Sequence, residues 1–217
     1  MTDPSWIVHS YPGITVERLL IVADIVRVAR DEAVDDHRPD KGEDPWALGV
    51  AQFVRQNFAV VAAQIEHPWL TVVHGQGGGP VAFVFAIAGH AIRACRGDDA
   101  EVPYRYQQPT LFEQDQQQML IAIDPNIPTG VCLRLAVEND PMGRPLYVYL
   151  HEINETTGEP VRSYLIPKLE ATTNVTPFTP PVEPPANLPP VSAEPSEAEQ
   201  EKEKTENEPK KTGSDDE

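Results

Sequence analysis

His67-Pro68-Trp69-Leu70-Thr71-Val72-Val73-His74 is where the apolar period of this chain changes. Upstream, apolar residues recur at steps of three and four. Downstream they come in short β-branched and aromatic runs cut by turn residues. Pro68 stops the upstream pattern, because proline lacks a backbone N–H and disfavours helical geometry in the residue before it. Residues 69–74 then read as a strand, and the glycine-rich 75–80 as a turn. Residues 81–88, apolar on both faces and rich in Val and Phe, read as a second strand paired back on the first. Phe83 and Phe85 share one face of it and are expected to pack on the helices.

Working upstream, residues 16–34 place Leu19, Leu20, Val22, Ala23, Val26, Ala29 and Ala33 on one helical face, with Thr15 as N-cap. Ile21, Ile25 and Val28 add a second apolar edge, and the helix is expected to end near Asp36. Asp44-Pro45 opens a second helix, with a capping acid and a proline in its first turn. Trp46, Val50, Phe53, Val54, Phe58, Val61 and Ile65 follow helical spacing along it. Two helices joined by a short loop predict an antiparallel helical hairpin. Residues 6–9 read as a short strand or ordered arm.

Downstream, residues 91–96 are expected to continue the strand past a bend at Gly89, with 102–106 as a return strand. A short polar helix is expected over 110–118. Strands are expected over 119–123, 131–138 and 146–153, with a weaker one over 161–166. The turns between them carry Asp-Pro, Pro-Thr-Gly, Asn-Asp-Pro-Met-Gly and Thr-Thr-Gly. Helices first and strands later predict an α+β fold, in which the helical hairpin packs on a mostly antiparallel meander sheet.

Residues 1–170 are read as a single domain. From 171 to 217 the chain carries nine prolines, eleven acids, four lysines and one aromatic, Phe178. Such a tail has too little apolar surface to offset the entropy of ordering it and is expected to be disordered.

The chain carries −17. Four lysines against eleven acids give the tail 4 − 11 = −7, leaving −10 for residues 1–170. This field repels nucleic-acid phosphates and anionic lipid. It predicts a protein partner, with basic partners favoured, and neither membrane nor direct nucleic-acid binding. The start, MTDPSWIVHSYPG, has no basic segment or apolar run, and a cytoplasmic location is expected. Cys95 and Cys132 lie in strand-like apolar sequence outside any metal-ligand spacing and read as buried free thiols.

Catalytic patterns are incomplete. The Gly75–Gly79 loop lacks the Lys-Ser/Thr of a phosphate-binding loop, and no GxSxG elbow occurs. The acids Asp31, Glu32, Asp35, Asp36, Asp40, Glu43 and Asp44 lack calcium-loop spacing. Asp124 and Glu138 lack the lysine of a Glu-x-Lys nuclease pattern. Six histidines are scattered, with none at i, i+4. No cofactor and no metal site is expected.

The strongest positive cluster is Arg93, Arg96 and Arg105 with Tyr104 and Tyr106. Read as a hairpin, residues 91–96 and 102–106 place Arg93 and Arg105 on one face. Arg93, Arg96, Tyr104 and Arg105 are therefore the candidate partner-binding residues, against a structural role in which the arginines pair with Asp98, Asp99 and Glu101. The leading expectation is a non-catalytic binding or adaptor module. The alternatives are a hydrolase or nuclease-like enzyme, requiring convergence among His74, His90, Asp124, Glu138 and His151, and an acidic inhibitor of a basic nucleic-acid-binding protein.

Overall fold

The computed structural model describes residues 3–73, 83–97 and 101–169. The elements run α1 (Ser5–Ser10), α2 (Val16–Asp36), a 3₁₀ turn (Pro39–Lys41), α3 (Pro45–Ala63), β1 (Leu70–Val73), β2 (Val84–Ile87), β3 (His90–Arg96), α4 (Tyr104–Gln107), α5 (Leu111–Ile123), β4 (Val131–Asn139), β5 (Pro145–Asn154) and β6 (Pro160–Ile166). The six strands form one sheet in sequence order. Every pairing is antiparallel except β3 with β4, which is parallel and is bridged by the α4–α5 crossover. This is the expected α+β architecture, with α2 and α3 packed on the sheet.

Local chemistry fixes the helix starts. The Arg18 N–H donates to Thr15 Oγ1 at 3.2 Å, and the Ala47 N–H donates to Asp44 Oδ1 at 2.8 Å. Leu19, Val22, Ala23 and Val26 of α2 are fully buried against Phe85, Ile87, Ile92, Leu133, Leu135, Val137, Val148, Leu150 and Ile166 of the sheet. Phe85 is fully buried there, and Phe83 packs half-buried beside it. The opposite sheet face holds Cys95, Cys132, Ala136, Tyr149 and Ile153 against Val102 and Tyr106. Both cysteines are free and buried, as expected.

Four local expectations are corrected. Residues 5–10 form a helical turn that buries Ile7, closed by the Tyr11 N–H donating to the Ile7 carbonyl at 2.8 Å. The chain does not bend at Gly89 but reverses there: Ala88 (φ 51°) and Gly89 (φ 87°) form a two-residue turn between the paired Ile87 and His90. Two successive positive-φ residues match the twist of a tight hairpin. The segment 102–106 is not a return strand. Pro103 cannot donate to a ladder, Tyr104–Gln107 coils into a helical turn, and β4 takes the place beside β3. Residues 119–123 are the last turns of α5 and not a strand. A complete capping box between Thr110 and Glu113 starts that helix, and nothing breaks it before Asp124-Pro125.

Side chains reach both sheet edges. The Val72 N–H on β1 donates to Gln64 Oε1 at 2.7 Å, and Arg27 donates to the carbonyls of Ile166 at the end of β6 and of Pro167 just beyond it, at 2.5 and 3.0 Å. No helix among the described residues is long and apolar enough to cross a membrane. The 75–80 turn, His74, Asp98, Asp99 and the 171–217 tail lie outside the described residues.

Candidate functional site

Helix α3 is turned over relative to ordinary amphipathic logic. Its fully buried residues are Gln52, Gln56 and Val60, spaced by four. Trp46, Val50, Val54 and Phe58, also spaced by four, point outward, followed by Ile65 just past the helix end. Trp46 is 75% exposed, Phe58 76% and Ile65 88%.

The inward glutamines explain the orientation. Gln56 Oε1 accepts from Arg30 Nε on α2 at 2.7 Å. Gln52 Nε2 donates to the Gly143 carbonyl at 2.6 Å, and its Oε1 accepts from Asn139 Nδ2 at 3.3 Å. Arg30 is buried, and burial lowers its pKa to about 10. A cation held out of water needs acceptors, and α3 supplies one. Gly143 sits at the β4–β5 turn with φ 86°, and a Cβ there would lie 2.9 Å from Leu48 of α3, so the turn packs directly on the helix.

The outer face of α3 carries one charge, Arg55, whose NH2 pairs with Asp36 at 2.6 Å. The neighbouring acids are largely engaged. Arg144 pairs with Asp31 at 3.3 Å and Asp35 at 2.5 Å. Glu43 accepts from the Arg38 N–H at 2.7 Å and lies 3.0 Å from His37 Nδ1, contacts that lower its pKa. Asp31, Asp35, Asp36, Glu43 and Asp44 are thus divided among local partners instead of forming one unpaired face.

A second cluster is buried between the sheet and α5. Glu113 pairs with Arg134 through one carboxylate oxygen and lies 3.5 Å from Arg93 through the other. Arg134 also donates to the carbonyls of Tyr106, Leu133 and Gln108. Cross-strand pairing places Arg93 beside Arg134, and Arg134 beside His151. His151 Nδ1 lies 2.8 Å from Ser163 Oγ, with its ring stacked on Tyr149. Burial lowers the Arg93 pKa and raises that of Glu155 nearby. With these side chains nearly inaccessible, the cluster is built to hold α5 and α4 on the sheet.

The four residues singled out from sequence separate. Arg93 is buried in this cluster, and Arg93 and Arg105 both approach the Tyr106 ring, at 4.6 and 5.0 Å from its centroid. Tyr104 and Arg105 are exposed on α4. Arg96 is exposed at the end of β3, on the opposite sheet face from Arg93 by strand alternation.

Among the described residues, His90, Asp124 and His151 do not gather either. His90 lies on the α2 side of the sheet, with Nε2 3.0 Å from the Pro12 carbonyl and its ring edge-on to Tyr11, whereas His151 faces α5. Asp124 caps the end of α5, and its Oδ1 is used by Asn126. No cluster of three metal-ligating side chains occurs among the described residues. The helical spacing along α3 does not by itself say which side faces the core; Gln52 and Gln56, four residues apart, are the sequence signal for a second, polar face.

The chain matches no family model, no curated protein and no solved structure.

Proposed function

We propose that this protein is a non-catalytic binding or adaptor module that engages a protein partner through the outer face of α3. The observation that carries this reading is the outward row Trp46, Val50, Val54 and Phe58 on a helix anchored from behind by Gln52 and Gln56. Contiguous apolar surface of this kind costs solubility unless it is covered, and large aromatic side chains dominate binding energies when they enter a partner's pocket. The helix is held by buried polar contacts, so the face is presented without prior ordering. Tyr104 and Arg105, exposed together on α4, offer a separate contact to an anionic group, with Arg93 beneath them against the Tyr106 ring, whereas Arg96 lies on the other sheet face.

The test is affinity capture with the full chain and with Trp46→Glu/Phe58→Glu, followed by titration of the captured protein. The reading expects loss of binding by a variant with an unchanged circular dichroism spectrum. Equal binding by a folded variant would sink it.

A further inference from the structure

We propose that the occupant of the α3 face is a second copy of this chain, paired helix to helix in antiparallel fashion about a two-fold axis. This rests on the reading of α3 as a binding face and names what covers it.

The row of side chains reads the same in both directions. At steps of four it runs aromatic, valine, valine, aromatic: Trp46, Val50, Val54, Phe58. A two-fold axis between Val50 and Val54 sets Trp46 opposite Phe58 of the second copy, and Val50 opposite Val54. Ridges at steps of four interdigitate when two helices cross at an angle, so the axes are closest at the centre and diverge toward the ends. Small side chains at the centre and large ones at the ends match that geometry.

Charge and area agree. In a chain carrying −17, most surfaces repel a second copy. Helix α3 has no carboxylate along its 19 residues, and its single arginine is paired with Asp36. The corresponding row on α5, Leu111, Asp115, Met119 and Ile123, is interrupted by an acid. Trp46, Val50, Val54 and Phe58 present on the order of 500 Å² per chain, or roughly 1,000 Å² for two copies, which reaches the lower end of specific interfaces. An isologous contact also closes on itself, consuming the patch in a dimer instead of a growing chain.

The test uses sedimentation equilibrium of the full chain across micromolar concentrations. The expected mass is twice 24.0 kDa. Trp46→Glu/Phe58→Glu sets like charges opposite each other and should be monomeric. Trp46→Lys/Phe58→Glu sets opposite charges across the axis and should dimerise about tenfold more tightly than the double glutamate variant at low salt, with the difference shrinking as salt rises. Mixing Val50→Cys chains with Val54→Cys chains should give a mixed disulfide in preference to either self-pair.

A wild-type chain that stays monomeric overturns the proposal, as does a double glutamate variant that stays dimeric. If the monomeric wild type captures a different protein through Trp46 and Phe58, the dimer fails and the binding reading stands. If the monomeric wild type shows no dependence on these residues in any capture, both fail.

Discussion

Arg30 of α2 donates its Nε–H to Gln56 Oε1 of α3 at 2.7 Å, with both side chains buried. This contact sets the rotation of α3. Because the helix turns Gln52 and Gln56 inward, the row from Trp46 to Phe58 must face out. Replacing Gln56 with Leu removes the acceptor and leaves a buried guanidinium short of a partner. We expect a loss of ~2–4 kcal/mol in urea unfolding, more than the burial of a leucine returns. An unchanged midpoint would mean that Arg30 is satisfied elsewhere.

Glu113 joins Arg134 and Arg93 in one buried cluster beneath α5. Glu113→Gln should destabilise the fold by ~3–5 kcal/mol, because two buried cations lose their counter-charge. Arg93→Ala should likewise act first on stability. Denaturant titration of both variants checks this, and wild-type stability in Glu113→Gln would contradict the buried triad.

Phe85 and Phe83 share a strand face but not a depth. Phe85 is fully buried, whereas Phe83 is half-buried at the margin of the core. Phe85→Ala should cost ~3–5 kcal/mol and Phe83→Ala ~1–2 kcal/mol. Equal losses would place both rings in the same environment and contradict the margin position of Phe83.

His90 carries a pH dependence. Burial lowers its pKa, while the hydrogen bond to the Pro12 carbonyl opposes that shift. The unfolded chain therefore binds the proton more readily, and stability must fall as pH drops from the ordinary histidine value toward the lowered one. Thermal melts between neutral pH and pH ~5 should show this loss, and His90→Gln should flatten that part of the profile. A His90→Gln profile parallel to wild type would remove the histidine as its source.

The broad fold was legible because its signals are local. Thr15 and Asp44 announce helix starts, Pro68 a stop, and the β-branched runs at 131–138 and 146–153 the central strands. The parallel β3–β4 pairing was not legible, since it depends on a crossover whose second helix looked like a short helix followed by a strand. Met119 to Ile123 is equally apolar in either state, and only the capping box upstream favours helix. The outward face of α3 is not legible for a related reason. Spacing by four identifies a helix face but not which way it points. The direction of α3 is set by partners far along the chain, Arg30, Asn139 and Gly143. Burial of Arg93 is likewise illegible in the sequence, because its counter-charge, Glu113, lies on α5, which local signals do not connect to β3.

The outward α3 face is tested by comparing Phe58→Asp with Val60→Asp, two substitutions on opposite sides of one helix, by urea unfolding of the full chain. Val60 is buried and Phe58 is exposed. At protein concentrations low enough for the wild type to be monomeric, Phe58→Asp should stay within ~0.5 kcal/mol of wild type, while Val60→Asp should lose several kcal/mol. A strongly destabilised Phe58→Asp beside a tolerated Val60→Asp would show that α3 is rotated the other way, with its aromatic row in the core.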